Sequence, residues 1–236
     1  MSKAVIFNGI NALDFEELRW NAIRVPEVLT RIKKAQTIWD QMNLPSFDLL
    51  NFIGSEDKVF LNNIKLKSLA SAIVQVGLFD RYLSKHDFPH FLVGDVNADS
   101  AVNVCLGLIS FDELIINSMA VEPFRSSDQS QSSDKFLSGV GLQKLKVYKC
   151  KAKKNLVEYE EVELEDPSIN KIIRHLVDEF KIKTYINIGP GSNFNQLRAH
   201  FEMEELLFLE SIDQDPMLNW FWTQYAPTET QVHMSN

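Results

Sequence analysis

Short apolar runs alternate along this chain with stretches in which apolar residues recur every three or four positions. The runs are four to six residues long, and they cover residues 3–8, 90–93, 183–188 and 206–209. Runs of this length, bounded by glycine or polar residues, predict short buried strands. The helical spacing covers residues 22–42, 66–83 and 98–108, which predicts amphipathic helices between the strands.

Capping residues mark three further helix starts. Ser110, followed by Glu113 three positions later, forms a capping box and predicts a helix from the next residue. Asp166 before Pro167 predicts a second start, with proline in the first helical position. Ser192 predicts the cap of a third helix, directly after a glycine-rich turn.

The middle of the chain combines a polar linker with a β-hairpin. Residues 122–135 contain five Ser, two Gln, two Asp and one Pro, which is the composition of a flexible linker. Apolar and polar residues alternate over 142–148 and 156–164 around a polar turn, which predicts a hairpin over 142–164. Because the other strands alternate with helices, we predict one α/β domain over 1–236. Its sheet is mainly parallel, with helices on its faces and ligands at the carboxyl ends of its strands.

The charge of the chain excludes one class of partner. The 236 residues carry a formal net charge of −8, so general binding to nucleic acid is disfavoured. An acidic protein partner would need a local basic patch, and one dense basic stretch exists. Its six lysines are Lys144, Lys146, Lys149, Lys151, Lys153 and Lys154. We interpret their alternation as the solvated face of an edge strand, which protects the edge from aggregation.

The remaining composition points to a cytoplasmic protein without a metal or cofactor. Cys105 and Cys150 are too few for a disulfide framework, and none of the five His has metal-ligand spacing. His90 lies nearest the candidate site described below, but we expect it to be structural. The first 15 residues lack the pattern of a signal peptide, and no segment has the roughly 20 apolar residues of a membrane span.

Four short motifs follow one another from end to end of the chain. They are Phe-Asn-Gly-Ile-Asn at 7–11, a Gln-containing helix at 69–83, LGLISFDEL at 106–114 and Ile-Gly-Pro-Gly at 188–191. In this order they resemble the malonyl-CoA:acyl carrier protein transacylase family, which includes the acyltransferase domains of polyketide synthases. The resemblance implies the large subdomain of that acyltransferase fold.

The catalytic signature of the family, Gly-His-Ser-X-Gly-Glu, resembles a degenerate segment of this chain. The segment consists of Gly94, Asp95, Val96, Asn97, Ala98 and Asp99. Val96 stands where the family has its nucleophilic Ser, and a valine side chain has no lone pair to attack a thioester. Its β-branch also resists the strained turn that such a nucleophile occupies. The resemblance therefore implies that the family mechanism is lost, with no catalytic residue in its place.

Other family positions differ as well. Ile10 stands where the family has the Gln of the oxyanion loop, and Ala120 or its neighbours stand where an Arg pairs with the malonyl carboxylate. The family carries its catalytic His in a small ferredoxin-like subdomain. Here the Ser-rich linker and the hairpin occupy that place, so we expect both the subdomain and the His to be absent.

These observations favour a catalytically inactive acyltransferase-like protein with a binding or scaffolding role in fatty-acid or polyketide assembly. An acyl carrier protein or a CoA-type ligand is a candidate partner, and membranes are not. The alternative is an enzyme that uses Asp95 or Asp99 in the same cleft for transfer or hydrolysis. A third hypothesis is a structural subunit that forms dimers.

Two more segments are candidates for binding. The turn with Gly189, Gly191 and Ser192 precedes a helix and could hold an anion or another ligand through its backbone N–H groups. An aromatic cluster near the C-terminus is a candidate interface, made of Trp220, Phe221, Trp222 and Tyr225. Loss of the small subdomain would expose the cleft floor, which we expect the hairpin, another copy of the chain or a foreign partner to cover.

Overall fold

A six-stranded sheet with helices on both faces organises the chain. The computed structural model describes residues 2–7, 22–42, 46–54, 64–95, 101–120, 145–153, 156–164, 168–189 and 194–210. The strands are β1 (Lys3–Phe7), β2 (Phe91–Asp95), β3 (Leu145–Lys153), β4 (Leu156–Val162), β5 (Thr184–Ile188) and β6 (Leu207–Glu210). Their order in the sheet is β4-β3-β2-β1-β5-β6. This confirms the predicted α/β class.

Helices connect the strands. A short 3-10 turn (Ala22–Arg24) leads into α1 (Pro26–Gln41), followed by α2 (Leu49–Gly54) and α3 (Ile64–Leu83). After β2 come α4 (Ala101–Cys105) and α5 (Phe111–Ala120), and later α6 (Ile169–Phe180) and α7 (Phe194–His200). Among the described residues, no helix is long and apolar enough to cross a membrane.

The sheet is mainly parallel, as predicted. Strands β2, β1, β5 and β6 run parallel, whereas β3 and β4 are antiparallel to their neighbours. Successive strand residues alternate between two cores because side chains of a strand point to opposite faces. Val5 and Phe7 pack with α1 to α5, while Ala4 and Ile6 pack with α6 and α7. Burial on both faces explains why these strands are continuous apolar runs in the sequence.

The structure confirms one predicted helix start and contradicts another. Ser110 and Glu113 form the predicted capping box: the Ser110 N–H donates to the Glu113 carboxylate at 2.7 Å, and the Glu113 N–H donates to Ser110 Oγ at 3.1 Å. The predicted start at Asp166 and Pro167 is wrong. Helix α6 begins at Ile169, and Ser168 is its N-cap in an extended conformation.

The hairpin forms within the predicted region and extends the main sheet. Strand β3 pairs with β2 over residues 145–149 and then continues to Lys153. Because β3 is antiparallel to β2, its start at Leu145 lies at the carboxyl ends of the parallel strands, and its end at Lys153 lies beyond their amino ends. The far end of the hairpin therefore projects away from the carboxyl edge, while its base at Leu145 adjoins that edge. The cleft floor lies outside the described residues, so the expectation that the hairpin covers it stays a prediction.

The lysine stretch is not the face of an edge strand, contrary to the expectation from its alternation. Strand β3 lies between β2 and β4, and β4 is the outer strand. Glutamates of β4 face the lysines: Lys149 is opposite Glu160, and Lys146 Nζ is 2.8 Å from a carboxylate oxygen of Glu161. Alternation alone could not distinguish the two positions, because both place lysine side chains at the surface.

Candidate functional site

The candidate site lies at the carboxyl edge of the three central parallel strands. Strand β1 runs between β2 and β5, with Ile6 opposite Val93 on one side and Asn187 on the other. Neighbouring strands are about 4.8 Å apart, so the ends of β2 and β5 lie about 10 Å from each other across β1. The segments that follow these three strands therefore leave the sheet side by side. Together with the end of β2, they contain the predicted residues of the degenerate signature, of the oxyanion loop and of the glycine-rich turn.

The structure describes only the sheet side of this site. Gly94 and the backbone of Asp95 complete β2, where Asp95 pairs with Leu145, and the buried Gly189 directly follows β5. The remaining predicted residues lie outside the described residues: Ile10, Val96, Asn97, Ala98, Asp99, Gly191, Ser192, Trp220, Phe221, Trp222 and Tyr225. Their assigned roles stay predictions.

Helix α4 packs against the end of β2. Helix α4 begins at Ala101, so five residues, 96–100, join it to the strand. The helix packs directly on the strand end: a Cβ placed on Gly94 would lie 3.0 Å from Val102 Cβ and 3.1 Å from its Cγ1. Glycine at position 94 thus allows the helix to approach the strand closely. Gly94 is the first residue of the segment that resembles the family signature. Its packing against α4 gives a physical reason for glycine at this position.

The motif over 106–114 links α4 to α5 through a left-handed residue. Gly107 has φ +75°, a conformation that L side chains rarely adopt, and its N–H donates to the Val104 carbonyl. The capping box at Ser110 then starts α5. Phe111, in the first turn, packs in the core with the Arg31 guanidinium over its ring. These structural roles are sufficient to explain why the motif contains Gly107, Ser110 and Glu113.

A buried polar pair at the same edge was missed by sequence analysis. Asn187 is the only polar residue between Tyr185 and Ile188 of β5, and it is almost fully buried. Its Nδ2 donates to the Glu210 carboxylate at 2.5 Å, at the end of β6. A buried amide without partners would be costly, and this bond supplies a partner for Asn187. It also joins the ends of β5 and β6, where the glycine-rich turn begins. The signal in the sequence is the single Asn within an otherwise apolar run.

Neither cysteine is suited to act as a nucleophile in the folded chain. Burial raises the pKa of the Cys105 thiol well above its usual value; the Asp80 carboxylate raises it further, and the Arg31 guanidinium opposes this. Burial also raises the pKa of Cys150 to about 12. A thiol needs its deprotonated form to attack, so the raised pKa values disfavour both cysteines as nucleophiles near neutral pH. This agrees with the structural role expected for Cys105.

The histidines of the described region do not gather at the site. His90 precedes β2 at the opposite, amino edge of the sheet, where its N–H donates to the Lys3 carbonyl and its carbonyl accepts from Cys150. His175 and His200 lie against Phe180 and Phe201. In the part of the chain that the structure describes, no group of three or more His, Cys, Asp or Glu could hold a metal ion.

Comparison with known proteins identifies the fold. At the level of sequence, no protein-family model and no curated protein matches this chain. Among solved structures, it is similar to the malonyl CoA-acyl carrier protein transacylase from Coxiella burnetii, with a TM-score of 0.57 and 12% identity, over 95% of this chain and 96% of that one. The Synechocystis sp. PCC 6803 malonyl-CoA:ACP transacylase gives a TM-score of 0.57 at 12% identity, over 89% and 97%.

A third similar structure contains a carrier protein. It is a malonyl-transacylase in complex with its type II polyketide synthase acyl-carrier protein, with a TM-score of 0.54, 13% identity and coverage of 89% and 95%. The fold just described is thus that of an acyltransferase. More specifically, the chain has the fold of the malonyl-CoA:acyl carrier protein transacylases.

Proposed function

We propose that this chain is a catalytically silent protein of the transacylase fold, which binds a thioester ligand or its carrier without forming an acyl-enzyme. One observation carries the proposal: the residue directly after the β2 end, in the position of the family's nucleophile, is Val96. The close approach of α4 to the end of β2 supports this alignment, because Gly94 packs directly against Val102 there.

Several losses together argue against residual transfer by the family mechanism. Acyl transfer needs a nucleophile, a base to deprotonate it and donors for the oxyanion, all positioned together. Val96 supplies no nucleophilic atom, and Ile10 stands where the family has a polar side chain. His90, the histidine nearest the signature in sequence, lies at the far edge of the sheet. The proposal is therefore binding at the cleft rather than turnover.

The proposed ligand carries a phosphopantetheine arm, either free in CoA or attached to an acyl carrier protein. The neighbour that was solved with its carrier protein supports the second form. The lysine stretch does not supply a docking patch for it, because Lys146 and Lys153 are paired with Glu161 and Glu158 of β4. Lys149, Lys151 and Lys153 also lie at or beyond the amino edge of the sheet, whereas Lys146 is opposite Gly94 near the carboxyl edge. We therefore place the ligand at the carboxyl edge, near the Gly189 turn.

Intact-mass spectrometry and calorimetry test this proposal together. After incubation with malonyl-CoA, we expect the mass of the protein to remain unchanged. Titrations with CoA, malonyl-CoA and a holo acyl carrier protein should show saturable binding of at least one, and comparison of the three separates free CoA from the carrier. A covalent malonyl adduct would contradict catalytic silence, and absence of binding to all three would contradict the ligand class.

An alternative enzymatic function rests on the position of Asp95. The residue ends β2 at the carboxyl edge, where ligands of α/β sheets bind, and Asp99 follows four residues later. Carboxylates there could act as general bases for hydrolysis. A thioester turnover assay decides between the two functions: release of free CoA by the wild type, lost in both Asp95→Asn and Asp99→Asn, would favour the enzyme.

We further propose that a protein surface, from another copy or a foreign partner, covers the cleft floor, with the aromatic residues near Trp220 as anchors. Clustered Trp and Tyr are typical of interface hot spots. Sedimentation at increasing concentration tests self-association, with Trp220→Ala and Trp222→Ala as variants. A monomer at every concentration, together with no captured partner, would contradict this part of the proposal.

A further inference from the structure

The end of the hairpin projects beyond the body of the sheet. The last residue of β3 that pairs with β2 is Lys149, and the Cys150 N–H then donates to the His90 carbonyl. Residues 151–153 continue past this point and pair only with β4 among the described strands. The four steps from Lys149 to Lys153 span about 13 Å, so the end of β3 extends well past the amino ends of the parallel strands.

The outer edge of this hairpin has no partner strand in the described part of the chain. Strand β4 ends the sheet and pairs with β3 alone among the described strands. Residues 158–161 are exposed on both faces of the ribbon, including Tyr159, of which 42% is accessible to solvent. The row of backbone N–H and C=O groups on the outer side of a strand is a template for another extended chain.

The side chains along this edge are strongly acidic. Glu158 and Glu160 lie on the face that packs towards α6, since they are opposite Lys151 and Lys149. Glu161 lies on the other face, beside Tyr159. The lysines that balance these charges belong to β3, on the inner side of β4. Glu160 makes no ion pair with any described residue.

We propose that the β4 edge binds a lysine- or arginine-rich extended segment of a partner protein by strand addition. Basic residues two positions apart in the added strand would face Glu158 and Glu160, since side chains on one face of a strand repeat every second residue. Opposite charges directly across two strands are stabilising. A second copy of this chain is disfavoured as the occupant, because pairing β4 with β4 would place glutamates beside glutamates.

Peptide binding to the full chain tests the proposal. The probe is the labelled peptide Lys-Val-Lys-Tyr-Lys-Val-Lys, followed by fluorescence anisotropy, with hydrogen exchange reporting where it binds. We expect saturable binding and slower exchange over residues 156–162. In Glu158→Gln/Glu160→Gln, affinity should fall about fivefold, since two cross-strand charge pairs are lost. The control Glu179→Gln/Glu202→Gln changes the net charge equally at exposed sites elsewhere and should bind as the wild type does.

Two further probes separate strand addition from simple charge attraction. The same peptide with methylated backbone nitrogens keeps its lysines but cannot donate backbone hydrogen bonds, so it should not bind. The Glu-Val-Glu-Tyr-Glu-Val-Glu peptide should not bind either. The proposal is overturned by equal binding of either probe, by unchanged affinity in the β4 double variant, or by protection outside β4. It is also overturned if sedimentation shows self-association that the β4 double variant abolishes. The peptide assay does not depend on ligand binding at the carboxyl edge.

Discussion

At the scale of single residues, the proposed catalytic silence rests first on Val96. Restoring Ser there returns one nucleophilic oxygen to the turn, but nothing in the sequence returns the base, the carboxylate-pairing Arg or the oxyanion-loop Gln. Groups that act as a unit are not repaired singly. We therefore expect Val96→Ser to show no malonyl transfer to a carrier protein in a discontinuous radiolabel assay. Transfer above the wild-type background would mean that the rest of the machinery is present.

The substitutions that position 94 tolerates are limited by its packing against the Val102 side chain. A Cβ at this position meets Val102 Cβ at 3.0 Å, Cγ1 at 3.1 Å and Cγ2 at 3.4 Å. We expect Gly94→Ala to lower the free energy of unfolding by about 1 to 2 kcal/mol, measured by urea denaturation. Val102→Ala removes two of the three close contacts, so the double variant should lose less than the sum of the two single variants. Strict additivity would show that α4 does not press on the strand at this point.

At the scale of elements, the crossing of α1 and α3 depends on Gly77. A Cβ there would lie 2.5 Å from the Cα of Val28 and 2.9 Å from its backbone nitrogen. Alanine favours a helix by about 1 kcal/mol over glycine, but the overlap should dominate, with a net loss of about 2 to 3 kcal/mol.

The matched control for Gly77→Ala is its combination with Val28→Ala. Because the closest contact is with backbone, trimming the Val28 side chain should not relieve the overlap, in contrast to the pair Gly94 and Val102. Thermal and urea denaturation of the single and double variants measure this. Full recovery in the double variant would place the conflict in the side chain instead.

The capping box of α5 predicts a pH-dependent contribution to stability. Hydrogen bonding to the Ser110 backbone N–H, and secondarily to its side chain, lowers the pKa of Glu113 below its ordinary 4.5. A lowered folded-state pKa adds stability that is present above 4.5 and is lost as the pH falls through the lowered value. Glu113→Gln keeps a capping-box side chain without the charge.

We therefore expect the wild type to be more stable than Glu113→Gln near neutral pH, and the two to converge in acid. Urea denaturation between about pH 7 and about pH 3 measures the difference. Ser110→Ala is the control, and it should lose about 1 kcal/mol at neutral pH because the cap itself is removed. A constant gap between the wild type and Glu113→Gln down to the lowest pH would contradict the cause assigned to the pKa shift.

At the scale of the whole molecule, the buried Cys150 reports on unfolding. It lies in the core where β3 meets β2, and burial raises its pKa to about 12. In a Cys105→Ser background, we expect a disulfide reagent at about pH 8 to label Cys150 only at the rate at which the chain unfolds. Rapid labelling without denaturant would show that the hairpin detaches from the sheet locally.

The sequence by itself determined the elements and their type. Burial on both faces makes β1, β2 and β5 continuous apolar runs, and the Ser110 capping box is a purely local pattern, so both were predicted correctly. The start of α6 was placed two residues too early, because Asp166 and Pro167 carry the local signal of a cap whereas Ser168, in an extended conformation, is the N-cap. The transacylase resemblance supplied the fold, since its motifs lie at strand ends and helix starts.

Only the tertiary structure decided how distant segments meet. Strand order and register are long-range pairings with no local signature, so the lysine stretch could be read as an edge strand although β3 is covered by β4. The direction of the hairpin tip, the bond from Asn187 to Glu210 and the close approach at Gly94 and Gly77 all join residues far apart in the chain or on different elements. Such contacts depend on how elements that are distant in the sequence pack together, so no local pattern of residues signals them.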